Sequence, residues 1–132
     1  MDTLREPGLA GWLGLLAGGA LGTLLRFLVG TAITRQTGGA FPWGTLAVNI
    51  LGCFAIGLVA GWAERQGALS TVLRMTIVAG LLGGFTTFSS FGLELFQLLS
   101  SARWVPAAAY VMLSNGLGVA AVWAGFRILS TS

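Results

Sequence analysis

What most constrains this chain is where its charges are missing. Between Glu6 and Arg35 the only charged residue is Arg26; Gln36 to Ala63 has none; Met75 to Ala102 has only Glu94; Trp104 to Phe126 has none. Each stretch exceeds the roughly 20 apolar residues that an α-helix needs to cross about 30 Å of hydrocarbon. Backbone in that medium must satisfy its own N–H and C=O groups, and runs this long do so as helices. Composition agrees: 55% of residues are hydrophobic and 8% charged, against roughly 25% charged in an average soluble domain. The sequence predicts an all-α integral membrane protein, a single four-helix domain over residues 1–132, with spans at about 9–33, 43–63, 72–99 and 104–129.

The tryptophans fit these boundaries, since indole rings favour the headgroup level. Trp12, Trp43 and Trp104 fall near predicted starts, Trp62 at an end and Trp123 within about two turns of one. The first apolar run is read as a retained span. It is long for a leader, carries Arg26 deep inside, and follows mixed charges at Asp2, Arg5 and Glu6.

Four spans put the N-terminus, the second loop and the C-terminus on one side. That side holds Arg5, Arg65, Arg74 and Arg127, offset by Asp2, Glu6 and Glu64; the other holds Arg35 and Arg103, with Arg26 near it. So even a distribution lets copies insert either way up, permitting an antiparallel homodimer, although a small protein with few loop charges would look the same. No internal repeat is visible, so any inverted symmetry must come from a second copy.

Several chemistries are disfavoured. With no histidine and one cysteine, Cys53, the chain lacks the usual ligands of zinc or haem and cannot close an intrachain disulfide. The seven arginines are too scattered for a nucleic-acid patch. No nucleophile–base pair is legible, so an enzyme is not expected.

The polar residues within spans carry what chemistry there is. Gly14, Gly18 and Gly22 form a smooth strip on the first helix, suited to close backbone approach. Arg26 faces a wet vestibule or snorkels to the interface. Asn49 must point away from lipid, where its amide either donates to an anion or ties two helices together. In the third span, Gly80, Gly83 and Gly84 precede Thr86, Thr87, Ser89 and Ser90. Glycines there weaken the helix, and a break at membrane depth is tolerated only where the freed backbone is buried or lines a cavity. If the chain is helical after that break, Phe85, Phe88 and Phe91 share one face. Their ring edges are electropositive and could line an anion path. Glu94 needs a partner or water, with Arg26 the obvious candidate, and a proton-coupled transporter would want the same carboxylate; the sequence leaves the choice open. In the fourth span Tyr110, Ser114 and Gly118 share a stripe.

Taken together, "GGALGTLLRF", "GTLAVNILGC", "GGFTTFSSF" and "YVMLSNGLG" resemble the Fluc (CrcB-type) fluoride ion channel family over nearly the whole chain. The resemblance implies an antiparallel dual-topology homodimer in a bacterial plasma membrane, with two fluoride pathways and a structural sodium ion at its centre. Phe88 and Phe91 match the pore-lining phenylalanines, and Asn49 the pore asparagine. Gly83 and Thr86 match the positions whose carbonyls hold sodium, and Arg26 the vestibule arginine. Thr87, Glu94, Tyr110 and Ser114 fall near the anion route. Many relatives carry a second hydroxyl residue one turn after Ser114, where this chain has Gly118, which shortens that polar rail. The function so implied is passive fluoride export. The competing expectation is a small dual-topology, proton-coupled multidrug exporter, though such proteins usually place their acid in the first helix, where this chain has Arg26.

Overall fold

The computed structural model describes residues 6–131; Asp2 and Arg5, used above in the charge balance, lie outside them. Helix α1 runs Leu9–Thr37 and α2 Trp43–Gln66. The third span comprises α3 Thr71–Leu73, a π-helical segment Arg74–Leu82, α4 Gly83–Phe85 and α5 Phe88–Ser100; α6 is Trp104–Ser130. Four apolar segments are thus long enough to cross a membrane. Even α2, with 24 residues, measures about 36 Å at 1.5 Å per residue.

The boundaries have local causes. α1 continues past Ile33 until Gly38, whose φ of 79° closes a left-handed cap and sends its N–H to the Thr34 carbonyl at 3.0 Å. α2 stops at Gly67, with φ 93°. Ser70 opens the third span, its hydroxyl accepting from the Leu73 N–H at 3.2 Å.

Close packing follows two seams of glycine. A Cβ at Gly14 would overlap Thr76 Oγ1, one at Gly18 the Thr76 carbonyl oxygen, and one at Gly22 the Leu81 carbonyl oxygen. The strip on α1 is therefore the surface on which the third span lies. A second seam joins α2 to α6: Cβ atoms at Gly57 and Gly61 would overlap the Val122 and Phe126 carbonyls, and one at Gly125 the Phe54 carbonyl. Lipid supplies no hydrophobic force between helices, so this backbone proximity and its van der Waals contact hold each pair. The small core of Leu46, Leu98, Ala107 and Tyr110 lies where α2, α5 and α6 meet, with Phe41, Ile50, Phe91, Leu95 and Leu113 packed around it. Large apolar side chains otherwise face outward, as Leu16, Phe27, Val105 and Trp123 do.

Candidate functional site

Between α4 and α5 the backbone of Thr86 (φ −86°, ψ 157°) and Thr87 (φ −149°, ψ 120°) is extended. Thr87 caps α5, its Oγ1 accepting from the Ser90 N–H at 3.2 Å. Thr86 turns its hydroxyl back to the Leu82 carbonyl at 3.0 Å. Asn49 spans the gap from α2: its Nδ2 donates to the Thr87 carbonyl at 3.0 Å, and its Oδ1 accepts from the Thr87 N–H at 2.8 Å. Both readings of Asn49 remain compatible with this, because the carboxamide has a second N–H.

Two expectations are corrected here. The glycines do not open the helix: Gly83 is helical (φ −62°, ψ −37°) and Gly83–Phe85 forms α4. Gly80 and Gly84 serve close approach instead, since a Cβ at Gly84 would sit 2.6 Å from the Gly19 carbonyl oxygen and one at Gly80 2.8 Å from that of Leu15, whereas one at Gly83 would meet only the Val78 carbonyl oxygen at 3.6 Å. The extended residues also fall between Phe85 and Phe88, so the three phenylalanines do not share one helical face. Only Phe88 and Phe91 belong to α5.

The diverted hydrogen bonds have a consequence at Gly83 and Thr86. In a continuous helix their carbonyls would accept from Thr87 and Ser90, four residues on. Those N–H groups go to Asn49 Oδ1 and Thr87 Oγ1. The two carbonyls matched to sodium ligands are thus among those that the extended residues strip of their helical donors, as are those of Gly84 and Phe85 just before α5.

Arg26 and Glu94 do not pair. Arg26 Nε donates to the Gly84 carbonyl at 3.0 Å, which ties α1 to the segment just before the extended residues. Glu94 is served by hydroxyls: Thr45 Oγ1 donates to Oε1 at 2.8 Å and Tyr110 OH to Oε2 at 2.7 Å. The carboxylate therefore sits where α2, α5 and α6 converge, and the arginine where α1 meets α4.

A row of aromatic rings leads from Phe88 to the Glu94 site. Phe88 is 82% exposed; its centroid lies 5.6 Å from that of Phe91, which lies 4.9 Å from Tyr110, which lies 5.6 Å from Phe41. Ser114, one turn along α6 from Tyr110, keeps a buried Oγ without a hydrogen-bond partner. Gly118 is buried, with Cys53 Sγ 3.5 Å from where its Cβ would lie.

Cavities adjoin the site. One of about 400 Å³ is lined by Arg26, Arg35, Thr45, Thr87 and Ser90, together with Thr23, Thr31 and Thr34, so that two cations and several hydroxyls stand in a wall completed by Phe27, Gly30, Gly44 and Val48. A second, also about 400 Å³, is lined by Asn49, Cys53, Gly83, Thr86, Thr87 and Phe88. Thr87 belongs to both. A third, about 310 Å³, holds Phe41, Glu94, Gln97, Ser101 and Arg103. Sequence reasoning missed Arg35, Thr45 and Phe41. Thr45 lies one turn before Asn49, a spacing that places it beside a neighbour already singled out, whereas Arg35, nine residues after Arg26, carries no such signal.

Residues 13–126 match the family described as CrcB-like protein, Camphor Resistance (CrcB). The chain is 47% identical over 112 residues to a protein of Rhizobium etli named fluoride-specific ion channel FluC, covering 85% of this chain and 90% of that one. It is 45% identical over 111 residues to a protein of the same name from Roseiflexus sp., covering 84% and 90%. The namesake from Chloroflexus aurantiacus is 44% identical over 113 residues, covering 86% and 90%.

Proposed function

The chain belongs to the CrcB-like family, one of ion channels rather than enzymes, and from that premise we propose that it is a fluoride-selective channel of the bacterial plasma membrane that lets fluoride leave the cytoplasm passively. The working unit is an antiparallel homodimer in which the extended residues of both third spans meet at mid-membrane. The observation that carries this reading is the place of Thr87. It stands on the wall common to two cavities, clamped by Asn49, with the exposed ring of Phe88 beside it.

Fluoride is small and strongly hydrated, so an apolar wall must replace its water with donors that hold it without trapping it. The cationic cavity of Arg26 and Arg35 gathers anions and offers threonine hydroxyls as first replacements. The second N–H of Asn49 and the orphaned hydroxyl of Ser114 supply donors further in. Ring edges of Phe88 and Phe91 add weak electropositive contacts without a formal charge. Glu94 engages Thr45 and Tyr110, which holds those hydroxyls in place beside the rings. Chloride, being larger, makes poorer use of closely spaced donors.

The donor set at the extended residues fits a sodium ion, because carbonyl oxygens without helical partners are ligands for a hard cation. Gly83 and Thr86 of both copies would hold it, and its charge would offset the repulsion of carbonyl dipoles brought together there.

Purified protein reconstituted in liposomes tests the proposal. It should release fluoride down its gradient and leave chloride behind. Equal chloride release, or no fluoride release, would remove the reading, and drug-dependent growth of a sensitive host would favour the exporter instead.

A further inference from the structure

The Tyr110 ring is fully buried and lies between two other rings: Phe91 at 4.9 Å, and Phe41 at 5.6 Å with planes crossed at 82°. Phe91 rides on α5, one turn from Glu94, so its position follows from the helix. Phe41 does not; it sits in the connection between α1 and α2, where no helical hydrogen bond fixes it. Two neighbours hold it instead. Arg103 Nη1 donates to the carbonyl of Ala40, immediately before it, and the Trp43 ring packs against the Phe41 ring with centroids 4.7 Å apart. Ala40, Phe41, Glu94 and Arg103 all line the same 310 Å³ cavity.

A phenol reaches a fixed carboxylate only in one orientation of its Cα–Cβ bond, and a change of that rotamer would carry the hydroxyl several ångströms away. We propose that Phe41 is a positioning residue: fastened by Arg103 through Ala40, it wedges the Tyr110 ring against Phe91 and so keeps the Tyr110 hydroxyl on Glu94. It acts through Tyr110 and touches no ion. The inference rests on the channel reading only for its transport readout.

Tyr110 is the only tyrosine in the chain, so the full-length protein labelled with meta-fluorotyrosine reports on one ring position by fluorine NMR. Phe41→Leu should shift and broaden that resonance, and Phe41→Trp should restore a narrow line. Arg103→Gln, which leaves the core intact, should shift it in the same sense by less and stands in if Phe41→Leu does not fold. In liposomes Phe41→Leu should slow fluoride efflux about tenfold. The double variant with Tyr110→Phe should be no slower than Tyr110→Phe alone, because residues acting in series are not additive. An unmoved resonance, or losses that multiply in the double variant, would overturn the proposal. Wild-type protein that passes no fluoride would sink the channel reading, while the resonance alone would still decide the role of Phe41.

Discussion

Asn49 grips Thr87 by both ends of its peptide backbone, donating to the carbonyl at 3.0 Å and accepting from the N–H at 2.8 Å. One side chain thereby meets the cost of two backbone groups that leave the helix within a low-dielectric region. Each such group, left buried and unpaired, costs about 1–3 kcal/mol. Asn49→Leu, close in size but unable to hydrogen-bond, should therefore destabilise the protein by about 2–4 kcal/mol. The measurement is the thermal midpoint in detergent. A midpoint equal to that of wild type would mean that Thr87 finds other partners.

The second glycine seam predicts a sharp contrast. A Cβ at Gly57 would overlap the Val122 carbonyl oxygen, and backbone cannot swing aside as a long side chain can. Gly57→Ala should separate α2 from α6 and leave little monodisperse protein on gel filtration. Gly116, on α6, has nothing within 4 Å of its Cβ position. Gly116→Ala should be neutral, or stabilise by about 0.5–1 kcal/mol through the lower backbone entropy of alanine.

How much of this was legible in the sequence depends on how local each cause is. The four apolar segments and the Gly14, Gly18 and Gly22 strip are properties of single segments, and the structure has both, although α1 runs to Thr37 rather than ending at Ile33. Opposite charge alone makes Arg26 a candidate partner for Glu94, and the sequence leaves that pairing open. It fails because the partners of each are set by which helices converge, and Thr45 and Tyr110 reach the carboxylate first. The cause of the extended residues is likewise non-local. Gly80, Gly83 and Gly84 look like helix breakers in one dimension, but the missing side chains of Gly80 and Gly84 admit α1, while Thr87 leaves the helix where Asn49, 38 positions away, offers replacement hydrogen bonds. The π-helical stretch Arg74–Leu82 has no signature in the sequence that we can identify.

Phe88 and Phe96 are both largely exposed on α5, at 82% and 65%. Exposure means that replacing either ring by isoleucine removes little packing, so both variants should fold. Their effects on transport should differ, since Phe88 lines the cavity with Asn49 and Thr86 and Phe96 does not. A ring edge contributes about 1 kcal/mol, so Phe88→Ile should slow fluoride efflux by at least about fivefold and Phe96→Ile should leave it near wild type. Equal rates for the two would reduce Phe88 to a lipid-facing or packing residue.

Gly118 offers a gain rather than a loss. It is buried, and the nearest atom to a Cβ there is Cys53 Sγ at 3.5 Å, an ordinary van der Waals contact. Serine should therefore fit without moving α2, unlike any side chain at Gly57 or Gly125. Its hydroxyl would stand one turn beyond Ser114, whose own Oγ is buried without a partner. An added polar atom in that setting costs about 1–3 kcal/mol unless it finds a hydrogen bond, and a hydroxyl can return one to the carbonyl four residues back in its own helix. The expected result for Gly118→Ser is an unchanged elution profile and a fluoride efflux equal to or faster than wild type. A slower efflux with intact assembly would show that this face of α6 must stay apolar, and that the polar stretch ending at Ser114 is complete as it stands.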